Sequence, residues 1–337
     1  MSASTPDLSK SPPKRAPRGP LALALLLSCL ALALVPTPYA LLAPGDAVDL
    51  SQHVTVADRR PPPIRLYLTD VEVLRASTLL LLGGLIPGVR VVPNREVAPP
   101  GISTHAYDVM LAGDMQASQQ VGAIVAERAA GYRVADPPLR SVVLSVLSGS
   151  PSEGVLQAGD AIVAVDGAPV TGAASIDAIL RHAPRPAGAR LEIVRGGRRR
   201  TVAITPERTD GRVRLGVLVV STIGRADLPV PVRVRLTNVI GPSGGLMFAL
   251  TVYATLAQDR PPWPSAVAGT GTIALDGRVG AIGGAPEKLL AAERAGAKIF
   301  LVPEANYRSV AGTGTIPIVP VATFAQALGA LRRAAGS

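Results

Sequence analysis

Near its N-terminus the chain carries an apolar run too long to be left on the surface of a soluble domain. Residues 21–35 are apolar apart from Ser28, and residues 39–43 extend the run beyond Pro36-Thr37-Pro38. A helix needs about 20 apolar residues to cross a bilayer. The sequence therefore predicts a transmembrane helix over residues 20–43, after a disordered polar tail over residues 1–19. A cleaved signal peptide, with an apolar part of about 7–15 residues, is the alternative.

The charges around this run predict its orientation. Four basic residues precede it, and aspartates follow it at Asp46, Asp49 and Asp58. Positive residues favour the cytosolic side of a membrane segment. The tail is therefore expected in the cytosol and the rest of the chain outside it, in contact with the membrane through one helix. Residues 44–63 end in Arg-Arg-Pro-Pro-Pro and are interpreted as a linker.

Composition excludes several classes of protein. The net charge of +10 would suit nucleic acid or an anionic membrane surface. Scattered arginines and an aromatic content of 3% argue against a nucleic-acid partner. The single cysteine, Cys29, excludes an internal disulfide and a multi-cysteine zinc site. There is no HExxH helix and no GxxxxGK[ST] phosphate loop, so neither a metal nor a nucleotide cofactor is expected.

The periodicity of apolar residues predicts an α+β chain. Residues 64–74 suggest a strand or hairpin, and residues 108–130 suggest a helix. Residues 78–86 are so apolar that they must be either buried or resting on a membrane. Short strands and a Gly196-Gly197 hairpin predict a β-rich module over residues 132–207. Strands that alternate with helices over residues 208–337 predict an α/β domain.

One segment of the β-rich module carries a dense motif. Residues 148–167 read SGSPSEGVLQAGDAIVAVDG, in which Gly159 allows a left-handed turn and Asp160 can bond the local backbone. This segment closely resembles bacterial PDZ domains. The resemblance implies a module that binds an extended peptide by strand addition, here beside the Ser141–Leu147 strand. A spacer or a dimerisation element is the alternative.

A candidate nucleophile lies in the α/β domain. Gly241-Pro242-Ser243-Gly244-Gly245 falls between a strand and an apolar helix, so the backbone can turn sharply and expose the Ser243 hydroxyl. Free N–H groups at the helix start could hold an oxyanion. The alternative is that Ser243 only caps the helix.

A serine nucleophile needs a base. His53 lies near the predicted anchor and His105 has no recognisable motif. A lysine can serve if burial lowers its pKa, whereas an arginine cannot lose its proton. Lys288 lies in the first turn of a predicted amphipathic helix, and Lys298 leads into a strand and is expected in solvent. The alternative for Lys288 is an exposed lysine that pairs with a carboxylate such as Glu287 or Glu293.

Together these segments resemble the proteolytic domain of Lon proteases. Residues 241–245 match the GPSAG motif of that family, and residues 270–296 match its TGEI…PIGG…KEK…LAA…R…G block. The resemblance implies that Ser243 is the nucleophile, Lys288 the general base and Thr270 a supporting residue. Gly241, Pro242 and Gly244 would shape the nucleophile loop. More weakly, residues 111–118 resemble a Lon helix, which implies that residues 64–131 form the first part of this domain.

Two positions depart from the family pattern. An acidic residue usually precedes GPS, but the chain has Ile240, and the glutamate of TGE is Thr272. These changes bear on pocket polarity and on activation.

The order of segments resembles the membrane-anchored, PDZ-containing Lon-like serine proteases of bacteria. It implies an ATP-independent endopeptidase outside the cytoplasm that cleaves exported or misfolded polypeptides, uses no cofactor and could form a homo-oligomer. A catalytically inactive PDZ scaffold is the main alternative. A trypsin-like protease, suggested by GxSGG, is opposed by the chain order and by the lack of matching His and Asp motifs upstream.

Overall fold

The computed structural model describes residues 35–98, 104–182, 188–209, 212–224, 226–236, 241–257 and 263–334, together with residues 23, 27, 28, 30 and 31. The predicted tail over residues 1–19 lies outside these residues, as does most of the apolar run before Val35. Within the described ranges, no helix combines the length and apolar character needed to cross a membrane.

The described part of the chain contains both strands and helices. The strands are β1 (Pro36–Asp49), β2 (Val54–Val56), β3 (Arg65–Ser77), β4 (Arg90–Pro93), β5 (Leu139–Val146), β6 (Ala161–Val165), β7 (Ala168–Pro169), β8 (Ala189–Arg195), β9 (Arg198–Ile204), β10 (Glu207–Thr209), β11 (Arg212–Arg214), β12 (Val217–Ile223), β13 (Val232–Val234), β14 (Ala266–Gly269), β15 (Thr272–Ile273), β16 (Val279–Gly280), β17 (Ile299–Pro303) and β18 (Ile318–Val321). The α-helices are α1 (Asn94–Val97), α2 (Thr104–Ala129), α3 (Ala173–His182), α4 (Gly245–Leu256), α5 (Ala285–Arg294) and α6 (Phe324–Ala334). Short 3-10 helices cover Leu50–Gln52, Leu80–Leu85, Pro242–Gly244 and Glu304–Ser309.

The larger unit is a six-stranded sheet with helices on both faces. Its strand order is β18-β17-β14-β3-β1-β4, in which β3, β14, β17 and β18 run parallel and β1 pairs antiparallel with both β3 and β4. Helices α2, α4 and α6 share one apolar core with one face of the sheet. Helix α5 packs on the other face, over Tyr67, Ala268 and Phe300. This architecture brings segments from both ends of the chain to the middle of one sheet.

Strand β1 corrects two predictions. Residues 36–43, assigned above to the membrane helix over 20–43, form a strand in which Leu41 pairs with Leu74 of β3 and with Val91 of β4. The linker over 44–63 is also wrong, because its first residues complete β1 and the following turn buries Leu50. A short apolar run between prolines has the same composition whether a sheet or a lipid buries it. The pattern therefore could not separate the two.

The β-rich module is a separate sheet with its own core. Its strand order is β12-β5-β6-β8-β9, with β7 paired to β6, and α3 packs over it. Gly159 has a φ of 91°, and Asp160 accepts a hydrogen bond from the Gln157 amide at 2.9 Å, as the turn prediction required. Because β12 pairs with β5 along its length, the module continues to Ile223 and does not end at residue 207.

The predicted peptide-binding edge is wrong. The Ser141–Leu147 segment is β5, and it pairs with β12 on one side and with β6 on the other. In the part of the chain that the structure describes, β12 forms an outer strand of this sheet.

The module interrupts the larger unit. Strand β3 lies in the middle of the six-stranded sheet, and α2 packs along α4. Residues 36–129 therefore fold together with residues 241–334, and the β-rich module is inserted between them.

Candidate active site

The two candidate catalytic side chains meet across the sheet. Ser243 lies in the 3-10 turn before α4, and Lys288 lies in α5 on the opposite face. Lys288 Nζ is 2.6 Å from Ser243 Oγ and 3.4 Å from Thr270 Oγ1. The fold thus brings together all three side chains that the sequence singled out.

The nucleophile loop needs its glycines. Gly241 has a φ of 98°, which side chains rarely tolerate. A Cβ on Gly244 would lie 2.8 Å from Leu68 Cδ1 and 3.0 Å from Phe248 Cε2. The N-cap residues of this turn and of α4 are Gly241 and Gly244, and the Ser243 hydroxyl contacts Lys288, so the interpretation of Ser243 as a helix cap is wrong.

Helix α2 fixes the same loop from outside. The Ser118 hydroxyl donates to the carbonyl oxygen of Pro242 at 2.9 Å, and the amide of Gly241 donates to the carbonyl oxygen of Leu111 at 3.2 Å. Both partners belong to the 111–118 segment that resembles a Lon helix. Ser118 was not singled out from the sequence, although its position in that segment was a usable signal.

Thr270 supports the backbone of the nucleophile. It is fully buried, and its hydroxyl donates to the Ser243 carbonyl oxygen at 3.1 Å. The amide of Gly271 donates to the same oxygen at 2.8 Å, and the amide of Leu246 donates back to the Gly271 carbonyl at 3.0 Å. The two residues that follow β14 therefore fix the backbone of Ser243.

Lys288 is in the environment that a lysine base requires. Its side chain is almost fully buried, and this burial lowers the pKa of its ammonium group to about 8. The proposed exposed pairing is wrong, since Glu287 binds Arg90 and the Glu293 carboxylate accepts a hydrogen bond from the Thr315 hydroxyl. Lys298 is exposed, as expected.

Asp70 is a component of the site that the sequence did not reveal. It lies in β3, half-buried, and its negative charge raises the pKa of Lys288 against the effect of burial. Burial raises the pKa of the Asp70 carboxyl itself, while the Val71 amide, 2.8 Å from Oδ1, and Lys288 lower it. The available signal was an acid within the strand predicted over residues 64–74.

An ion pair links α5 to β4. Arg90 Nε is 2.6 Å from Glu287 Oε1, and Glu287 is 1% exposed. Gly284 is the N-cap of helix α5 and has a φ of 69°, and an added Cβ there would lie 2.5 Å from Val71 Cγ2. The helix that carries Lys288 is thus fitted closely to the β1–β3–β4 part of the sheet.

This arrangement can perform nucleophilic catalysis. An amine with a lowered pKa lies within hydrogen-bond distance of a hydroxyl, and a third residue orients the hydroxyl's backbone. No histidine is placed at this pair among the described side chains: His53 Nδ1 contacts the Asp49 carbonyl oxygen at 2.9 Å, and the side chain of His105 lies outside the described residues.

Comparison with known proteins agrees with both units. Residues 232–317 match the family model of the Lon protease (S16) C-terminal proteolytic domain, and residues 88–205 match that of the PDZ domain. The Lon protease of Buchnera aphidicola is 42% identical over 84 residues, which are 25% of this chain and 11% of that protein. The Lon protease of Clostridioides difficile is 50% identical over 64 residues, which are 19% of this chain and 8% of that protein.

Among solved structures, the PDZ domain of the SdrC-like protein from Listeria innocua is 22% identical. The match covers 24% of this chain and 92% of that one, with a TM-score of 0.22.

The chain spans about a tenth of the length of the curated Lon proteases that it matches. Its Lon match includes Ser243, Thr270 and Lys288, and its PDZ match includes most of the β-rich module. The chain therefore contains a PDZ domain and a C-terminal proteolytic domain of the Lon protease (S16) family.

Proposed function

We propose that the protein is an ATP-independent serine endopeptidase that uses Ser243 and Lys288. The observation that carries the proposal is the 2.6 Å contact between Lys288 Nζ and Ser243 Oγ, together with the pKa of about 8 that burial gives the amine. A neutral amine at this distance can accept the hydroxyl proton. The proposed proton transfer and acyl transfer need no nucleotide, which is why the proposal is independent of ATP.

The proposed reaction has two steps. Neutral Lys288 takes the Ser243 proton while Oγ attacks the peptide carbonyl carbon, and the ammonium then gives that proton to the leaving amine as the C–N bond breaks. Water, deprotonated by Lys288, attacks the resulting ester, and the proton returns to Ser243 Oγ.

The amides of Gly245 and Leu246 already donate hydrogen bonds to the carbonyl oxygens of Pro242 and Gly271. We therefore assign the developing oxyanion to the amides of Ser243 and Gly244.

The PDZ domain is proposed to present the substrate. An extended peptide can add to an outer strand through main-chain hydrogen bonds. Strand β12 is such a strand, and α3 packs against the same core. We assign peptide binding to β12, and propose exported or misfolded polypeptides as the substrate class.

We also propose a single-pass location in a bacterial cell membrane, with the catalytic domain outside the cytoplasm. Residues 21–35 are apolar except for Ser28, and the basic residues of the tail precede them. Since β1 begins at Pro36, this run has fifteen residues, or roughly 22 Å as a helix. That is shorter than the hydrocarbon core of a bilayer, which is about 30 Å thick, and a span of this length crosses where the bilayer thins locally around it.

The test is degradation of an unstructured protein such as casein by the purified full chain without nucleotide. We expect cleavage by the parent chain, none by Ser243→Ala, and an acyl-enzyme mass on Ser243 with a slowly hydrolysed ester substrate. Equal degradation by the parent and by Ser243→Ala would overturn the proposal. Peptide binding without turnover by the parent would instead leave the inactive PDZ scaffold.

A further inference from the structure

The end of the β1–β3 hairpin carries a large apolar surface. We call it the apolar end, and it comprises exposed side chains of β1, β3, β4 and the 3-10 segment between β3 and β4: Tyr39, Val73, Leu74, Leu79, Leu80, Leu82, Leu85, Ile86 and Val91. Leu85 is 82% exposed. Residues 78–89 contain no charged residue. Exposed apolar side chains grouped at one end of a fold mark a partner or a membrane.

The 3-10 segment faces its glycines inward and its leucines outward. A Cβ on Gly83 would lie 3.1 Å from Leu41 Cδ2, and one on Gly84 would lie 2.6 Å from Val91 Cγ2. The close packing against the sheet is thus made by glycine backbone. Of the two readings of residues 78–86, the buried one is wrong, because Leu80, Leu82 and Leu85 are all exposed.

The apolar end lies where the N-terminal run enters the fold. Pro36, the first residue of β1, pairs with Ser77, the last residue of β3, and the Val35 carbonyl accepts from the Thr78 amide at 3.0 Å. The described leucines of the run, Leu23, Leu27 and Leu30, are each more than half exposed. The point where the run joins β1 therefore lies next to the apolar end.

We propose that the apolar end rests in the boundary between headgroups and acyl chains of the same bilayer that residues 21–35 enter. This inference rests on the membrane location proposed above. A run of fifteen residues is short for a bilayer, and a short span draws its flanking segments toward the membrane. The apolar end directly follows the run and supplies side chains that suit the boundary region.

Contact of the apolar end with the membrane would fix the distance between the active site and the bilayer. Asp70 lies seven residues before Ser77, which is roughly 23 Å along β3. The Arg90–Glu287 ion pair and the close approach of Gly88 to Leu290 tie the same surface to α5. Ser243 therefore stands close above the bilayer, where it meets chain segments that have just left the membrane.

The test places a probe on the apolar end of the full chain. Cys29→Ser removes the single cysteine, and Leu85→Cys then takes an environment-sensitive NBD label. The protein is reconstituted in vesicles of phosphatidylethanolamine and phosphatidylglycerol, with and without nitroxide-labelled lipid. We expect blue-shifted emission and at least a twofold quenching by the nitroxide. The matched control is Leu147→Cys, which is 59% exposed on the PDZ domain and should show neither change.

Three results would overturn the inference, and they differ in cause. If the chain floats with vesicles while the label at position 85 stays unquenched, the anchor holds but the apolar end does not touch lipid. A blue shift that grows with protein concentration without nitroxide quenching assigns the surface to a second copy of the chain. If the chain does not float with vesicles, the membrane location itself fails. Casein cleavage tests the peptidase proposal independently of all three.

Discussion

The catalytic segment over residues 241–303 and the N-terminal hairpin over residues 36–98 build one sheet, yet they differ in how their sequences encode it. In the catalytic segment, steric demands select residue types: Gly241 needs a positive φ, and Gly244 has no room for a side chain. In the hairpin, apolar residues satisfy a sheet, a lipid or a partner equally well. The nucleophile loop therefore keeps a recognisable motif, whereas an apolar strand such as β1, which is defined mainly by burial, does not.

The two regions are nevertheless not independent at the active site. The hairpin provides Leu68 beneath the nucleophile loop, Asp70 beside the amine and Arg90 on the catalytic helix. If the hairpin only carried the chain to a membrane, substitutions in it would leave catalysis unchanged. The predictions below test that separation.

The largest effect is expected from Lys288→Met, which lies wholly in the catalytic segment. Methionine fills a similar buried volume but cannot accept a proton, so kcat/KM for casein-derived peptides should fall at least about 100-fold. The matched control is Lys298→Met, since Lys298 is exposed and should leave the rate unchanged. A Lys288→Met chain that retains more than a third of the parent rate would contradict the Ser–Lys assignment.

The second prediction concerns the ion pair between the regions. Arg90→Met leaves the Glu287 carboxylate buried without its partner, and removing one member of a buried pair costs about 3–5 kcal/mol. Since the Arg90 side chain is 51% exposed, we expect a smaller loss of about 1–3 kcal/mol in urea unfolding. The double variant Arg90→Met/Glu287→Leu should recover most of it. No loss in the single variant would mean that the hairpin and α5 are not coupled through this pair.

The third prediction concerns the contact between the nucleophile loop and β3. Gly244→Ala places a methyl group within 3 Å of Leu68 and Phe248, and such overpacking costs about 1–3 kcal/mol. Stability should fall in urea unfolding, and peptidase activity should fall further because Ser243 is displaced. Gly283→Ala is the matched control for stability, because nothing lies within 4 Å of the added carbon. Equal stability of the two variants would show that the loop can shift freely.

The catalytic segment could be predicted from the sequence to a larger extent than the N-terminal hairpin. The roles of Ser243, Thr270 and Lys288 could be predicted because each residue lies in a motif that is recognisable from the sequence alone. Asp70 could not, since its position beside Lys288 depends on β3 lying next to β14 across nearly 200 residues of chain. The end of the PDZ domain was missed for a similar reason, because only the pairing of β12 with β5 assigns Val217–Ile223 to that sheet.

The smallest and sharpest effect is a shift in the pH profile from Asp70→Asn. Catalysis needs the neutral amine, so kcat/KM should rise with pH and level off above the Lys288 pKa of about 8. The Asp70 charge stabilises the ammonium form and raises this pKa, so its removal lowers the pKa and moves the rise toward acid pH. At pH 7 the neutral fraction then increases, while the plateau at high pH depends on Ser243 and Lys288 alone. Asp177→Asn, on the exposed face of α3 in the PDZ domain, should leave the profile in place. A profile that moves toward alkaline pH in Asp70→Asn would mean that the hairpin acts on the dyad through something other than this charge.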